Sequence, residues 1–393
     1  MKQKRTILIP AMLDAAFPLL EHAFGNKKNN IVILDLGYED NIKETGLKYI
    51  HNDMCYPLVL ITGQMIVALQ SGKYDLENTY LLIPQAGDDC RGSNYIHMIR
   101  KALKSAGFQN VPIISLNVKG LEKNNNFSIT LLMIRQAVAA VMLSDLLMIL
   151  KNQIMPYEIV SGQTKEYCQK WTEILSKQID AGKKLSSHQI KKTYIDIISD
   201  FKNIKTNKKD LIKIGVVGEL YVKYCGIGNL NVEEFLHSQK CEFTINGISW
   251  YISYYIDSHL AEGNIIISLG GKIILRYLCR LQKAMSEALR SYDFRCDDEF
   301  DKFKFNVRDK ISYTCTVGDG WLIGAEICNY VLNGYKKILC IQPFGCMPNH
   351  VCGKGIYSSI QRKFSDVQIM SVDYDSSGSD INIKNRIKLL IDI

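Results

Sequence analysis

Proline is scarce in this sequence, at 8 residues, and none of its 12 cysteines forms a C-x-x-C pair. Many cysteines in a short secreted chain would suggest a disulfide-stapled domain, but 393 residues with so little proline argue against one. The lack of close cysteine pairs also removes the commonest arrangement of a structural zinc site. Histidine is sparse, with 7 residues, and no serine–histidine–acid set for hydrolysis stands out. No G-x-x-x-x-G-K-[ST] phosphate loop occurs, and GVVGELYVKYCGIGN lacks the third glycine of a dinucleotide fingerprint. Asp35 and Gly37 in IVILDLGYEDNIK resemble an actin-type phosphate loop only in part, because the hydroxyl residue is missing.

Apolar residues are plentiful. At 47% hydrophobic and 22% charged, the chain carries enough apolar side chain for sizeable cores, and its length suits two or three domains. The opening MKQKRTILIPAMLDAAFPLL is interrupted by Asp14 and two prolines, so it reads as a first core strand rather than an export signal. A reducing, cytoplasmic setting is the expectation. The apolar stretch from Ile129 to Leu150 contains Arg135, Gln136 and Asp145, which favours a buried helix over a membrane span.

The net charge of +8 comes largely from lysines between Lys183 and Lys213. No aromatic side chains interleave there as a base-stacking platform needs, so a solvated helical linker fits better than a nucleic-acid surface.

Strand and helix signals alternate. Thr6 to Pro10, Ile31 to Leu36 and Thr79 to Ile83 read as strands, with a helix from Asp14 to Phe24 stopped by Gly25. Late in the chain, KKILCIQPFGC followed by a helix and VQIMSVDYD repeats the plan of TYLLIPQAGDDC, a helix and VPIISLN. The expected fold is therefore α/β, with two parallel sheets flanked by helices. An N-terminal domain is expected over 1–128, a helical connecting segment over 129–210, and a C-terminal domain over 211–393 with a helical insertion near 250–305.

Cys55, Cys90 and Cys346 each stand where a strand or loop gives way to a helix. Unpaired amides and the positive end of the macrodipole at a helix start favour thiolate, and hence a metal ligand or nucleophile. Gly87, Asp88, Asp89, Gly92 and Asn94 around Cys90, and Gly345, Pro348 and Asn349 around Cys346, make turning polar loops rather than core packing. In parallel sheets, ligands bind outside the carboxyl ends of the strands, so Cys90 and Cys346 would face one crevice from opposite halves. Glu219, Tyr221, Lys223 and Asn229 would follow a strand's carboxyl end and could line the same crevice.

An iron–sulfur cluster accepts ligands spread along the sequence, and three cysteines would leave one iron open. His350, Cys352 and Cys315 could extend the set, although packing or support of the ligands suits each better; Cys315 is the candidate for any fourth protein ligand. Two other readings stay open: a Cys346–His350 nucleophile, and cysteines that simply pack. Cys168, Cys241, Cys279, Cys328 and Cys340 lie in apolar or helical patterns and read as buried small residues.

The strings NDMCYPLVLITGQ, CRGSNYIHMIRKALKSAGF, PYEIVSGQT, GVVGELYVKY, GDGWLIGAE, IQPFGCMPNHVCGKG and DYDSSGSDINIKNRIKLL together resemble the 2-hydroxyacyl-CoA dehydratase family over nearly the whole chain. The likeness is to the dehydratase component and to the carboxyl-terminal region of large activator proteins. The resemblance implies two Rossmann-like domains around a 4Fe-4S cluster, or a larger or bridged one, held by Cys55, Cys90 and Cys346. Arg91, Asn94 and His350 would support those ligands. It further implies an ATP-dependent activator of the actin/sugar-kinase/Hsp70 class as electron donor, and a second related subunit or a homodimer. The function implied is a difficult reduction or a radical dehydration, with electron transfer or scaffolding as the alternative and a metal-free binding module as the third. The surroundings of Cys315 depart from the family pattern.

Overall fold

The structure is a computed structural model and describes residues 4–26, 28–34, 41–84, 90–117, 120–121, 127, 129–207, 209–259 and 265–392. The expected turn residues Gly87, Asp88 and Asp89, and the pair Asp35 and Gly37, lie outside the described residues.

The first sheet contains β1 (Arg5–Pro10), β2 (Asn29–Leu34), β3 (Thr79–Pro84), β4 (Ile113–Asn117) and β5 (Gly120–Leu121). Its order is β2-β1-β3-β4-β5, with the first four strands parallel and the two-residue β5 antiparallel to β4. The second sheet contains β6 (Ile212–Gly218), β7 (Cys241–Thr244), β8 (Lys337–Pro343) and β9 (Gln368–Tyr374), all parallel in the order β7-β6-β8-β9. The two halves thus repeat one strand order. In each, the chain diverges to opposite sides after the two central strands, which opens a crevice at their carboxyl ends.

Local chemistry explains the framework. Parallel strands covered by helices on both faces must be apolar nearly throughout, and Ile7, Leu8, Leu81, Ile83, Val216, Leu339 and Ile341 are all buried. The helix Tyr56–Gln70 begins after Cys55 with Pro57 in its first turn, where a missing amide hydrogen leaves no bond unmade. It packs almost backbone to backbone on the helix Ile42–Tyr49. A Cβ at Gly46 would lie 2.1 Å from the Val59 carbonyl oxygen, and one at Gly63 would lie 2.0 Å from that of Ile42. Only glycine permits that approach.

A helical body packs against the helix Phe17–Phe24 of the first half and against β7 of the second. The helices Leu131–Ile154, Gln163–Asp180 and Ser187–Lys202 share one core with Ile248–His259 and Ile265–Ser291, through Leu146, Tyr194, Phe201, Trp250, Tyr254 and Met285. The stretch expected as an insertion near 250–305 therefore packs with the connecting segment. Leu131–Tyr157 is long and apolar enough to cross a membrane, but 72% of its apolar window is buried within the fold. Asp145 lies in the middle of this helix. Its carboxylate accepts from the Ile248 and Ser249 amides at 2.8 and 2.9 Å and so caps the start of a neighbouring helix, while burial pushes its pKa up to about 6. The described lysines between Lys183 and Lys213 are exposed, while the helix Ser187–Lys202 that bears several of them buries its other face in this core.

Candidate functional site

A cavity of about 410 Å³ lies between the carboxyl ends of the two sheets. The first half lines it with Met12, Leu13, Cys55, Cys90, Arg91 and Tyr95, and the second with Glu219, Tyr221, Asp319, Phe344 and Cys346. Tyr251 and Tyr255 of the helical body close a further side. Cys55 and Cys90 come from the segments around β3, and Cys346 follows β8, so three distant stretches of sequence meet in one crevice.

Each of these sulfurs receives a hydrogen-bond donor. The Tyr95 hydroxyl donates to Cys55 Sγ at 3.1 Å, the Gly92 amide to Cys90 Sγ at 3.2 Å, and Asn349 Nδ2 to Cys346 Sγ at 3.4 Å. Such donors stabilise thiolates and fix their orientation. Burial acts the other way. It pushes the Cys55 thiol up to about 12 against the Tyr95 bond, and it raises the Cys346 thiol, with Glu219 and Asp319 adding to the effect. For Cys55 and Cys346 the expectation that a helix start by itself would favour thiolate is therefore corrected. Removing a thiolate from water opposes what a helix start offers it.

The acidic wall comes from the second half. Gly218 ends β6 with φ +146°, and a Cβ there would lie 1.8 Å from the Ile341 carbonyl oxygen, so β6 and β8 meet through a position that only glycine can fill. Glu219, the next residue, caps the helix Leu220–Tyr224 through the Val222 amide at 2.9 Å and reaches the cavity. Asp319 is buried, and Asn349 Nδ2 donates to its Oδ2 at 3.0 Å while Oδ1 has no partner. Burial holds Glu219 above its ordinary range, and burial together with Glu219 holds Asp319 well above. Behind them Lys223 Nζ donates to Glu326 Oε1 at 2.6 Å, with both side chains out of solvent. An excess of carboxyls over cations on this wall favours the protonated form of its acids.

The remaining expected residues fall in several places. Arg91 lines the cavity and donates to the Asp53 carbonyl oxygen at 3.0 Å. Asn94 is exposed and is not among the lining residues. His350 Nε2 lies 3.4 Å from Asp373 Oδ1 and 3.3 Å from Lys354 Nζ, in a network outside the cavity lining. Cys315 is also outside it. Of the four residues expected beside the strand end, Glu219 and Tyr221 face the cavity. Lys223 pairs with Glu326, and Asn229 Nδ2 donates to the Val222 carbonyl oxygen at 2.9 Å.

Tyr95, Asn349 and Asp319 were not anticipated as site residues with these contacts. For Asn349 a signal exists, because three residues along a helical run bring its amide back over Cys346. Among the described residues no three His, Cys, Asp or Glu side chains could hold a single metal ion. Cys55, Cys90 and Cys346 all line the one cavity. No protein-family model matches the chain, and no curated protein matches it.

Proposed function

We propose that the cavity holds an iron–sulfur cluster on Cys55, Cys90 and Cys346, and that the protein uses an electron delivered by an ATP-dependent partner for a reduction or radical dehydration of 2-hydroxyacyl-CoA dehydratase type. The observation that carries this reading is the convergence of three cysteines from separate segments on one cavity, each sulfur with its own hydrogen-bond donor. A bound iron–sulfur group supplies one-electron chemistry and, at an iron that no cysteine takes, a Lewis-acidic position.

The chain's own residues do the rest. Tyr95, the Gly92 amide and Asn349 orient the sulfurs and offset part of their negative charge. Glu219 and Asp319 keep a proton at the cavity wall, where it can pass to a departing hydroxide. Tyr251, Tyr255 and Phe17 keep the space apolar and exclude water. The cavity beside the sulfurs favours a catalytic role over electron carriage alone. In this reading the protein works in a reducing cytoplasm beside an actin/sugar-kinase/Hsp70-class activator, with a related subunit or a second copy of itself.

Anaerobic reconstitution with iron and sulfide tests the proposal. The protein should take up both and become coloured. Cys55→Ala, Cys90→Ala and Cys346→Ala should each lose most of the iron, whereas Cys168→Ala and Cys241→Ala should retain it. A folded wild-type protein that stays colourless and iron-free sinks the reading.

A further inference from the structure

We propose that the outer face of the helix Ile265–Ser291 is a docking face for an anionic lipid surface, separate from the cavity. From residue 265 to residue 286 the helix carries Lys272, Arg276, Arg280 and Lys283 and no aspartate or glutamate. At about 3.6 residues per turn those four cations, together with Leu269 and Ile273, fall within about 100° of arc. All six are exposed, Leu269 at 59% and Ile273 at 60%. Lys283 lies 3.8 Å from Glu299, whereas Lys272, Arg276 and Arg280 form no ion pair among the described residues.

The packing of the helix leaves this face open. Leu278, Leu281, Met285 and Leu289 occupy the opposite arc and are buried in the helical body. Ile274 lies on that same inner arc, one turn before Leu278, yet it is 41% exposed, so the helix has left the core by this point. Its projecting part therefore shows aliphatic side chains on both arcs. A fluid headgroup layer can close round such an end, whereas a shaped protein groove reaches one arc only. None of the six outer residues is aromatic, so the stripe offers nucleic-acid bases nothing to stack on.

An anionic bilayer answers both kinds of side chain. Each cation near its surface strengthens partitioning about fivefold, an attraction that fades over a Debye length, about 8 Å at physiological salt. Leucine and isoleucine at the projecting end enter the boundary between headgroups and acyl chains, as the apolar side chains of interfacial helices do. Three unpaired cations and a few aliphatic tips give reversible attachment, with nothing spanning the bilayer. The helix Ile248–His259, which brings Tyr251 and Tyr255 to the cavity, packs against this one, so docking brings the cavity wall close to the bilayer.

Vesicle flotation of the full chain without iron tests the proposal, and its outcome does not depend on the cluster. The probes are vesicles of phosphatidylcholine alone and of phosphatidylcholine with an equal part of phosphatidylglycerol. The chain should float with the mixed vesicles at low salt, stay behind with the neutral ones, and be released by molar salt. Arg276→Gln and Arg280→Gln should each lower partitioning about fivefold, and Ile273→Ser about tenfold. Arg276→Lys, which keeps the charge, and Lys191→Gln with Lys192→Gln on another exposed helix face should float as the wild type does. These side chains are exposed, so the thermal unfolding midpoint should stay in place throughout. The proposal is overturned if folded wild-type protein does not float, floats equally on neutral vesicles, or floats through Lys191 and Lys192 instead. Retention on immobilised polyglutamate through Arg276 and Arg280 without flotation overturns it in favour of an acidic protein partner.

Discussion

The two halves share a strand order but not a chemistry. The first half brings Cys55 and Cys90 to the cavity on a largely apolar wall with one cation, Arg91, and the second brings a single Cys346 with the acids Glu219 and Asp319. The contrast continues beneath the surface. In the first half, buried Gln64 grips the end of β1, accepting from the Ala11 amide at 2.8 Å and donating to the Ala11 carbonyl oxygen at 3.3 Å. In the second, the place behind the strand end belongs to the Lys223–Glu326 ion pair. One topology thus supports either a neutral amide or an ion pair behind its strand end, and the loops and first helical turns decide which.

Three single substitutions and one double variant probe that difference. The largest effect should come from Lys223→Met, which leaves Glu326 buried without its cation and should destabilise the fold by about 3–5 kcal/mol in urea unfolding. Lys223→Met combined with Glu326→Leu should recover most of the loss; a double variant as unstable as the single one would show that the pair does more than balance charge. Gln64→Leu should have a smaller effect, about 1–3 kcal/mol, because it strands neutral backbone groups of Ala11 rather than a charge. Equal losses for Lys223→Met and Gln64→Leu would erase the distinction between the halves. Tyr95→Phe should be mildest, about 1 kcal/mol in the same assay, since it removes one donor from Cys55 and keeps the ring. With iron reconstituted, it should also speed loss of iron to a chelator, and an unchanged rate would remove Tyr95 from the support of the site.

Much of this architecture is legible in the sequence, for identifiable reasons. The runs TILIP and KILCIQP are apolar because their strands are covered on both faces, and that signal survives without any tertiary information. The placement of Cys55, Cys90 and Cys346 before helical turns is equally local, and all three do stand there. What could not be read is contact across long separations. Tyr95 follows Cys90 closely but donates to Cys55, 40 residues away. Nothing in GDGW announces that Asp319 is buried with a free carboxylate oxygen, because that depends on Asn349 and Glu219 arriving from other segments. The aromatic stretch after Trp250 reads as a separate cap because its packing partners, such as Tyr194 and Leu146, lie far upstream. His350 reads as a neighbour of Cys346 by spacing, yet Asp373 and Lys354 draw it elsewhere.

The sheet order has a consequence for how the protein is made. Each sheet is drawn from one continuous stretch of chain, so during synthesis the first can assemble while the second is still being translated. Cys55 and Cys90 would then wait at an open strand end with no acidic wall opposite them, until Cys346 emerges hundreds of residues later.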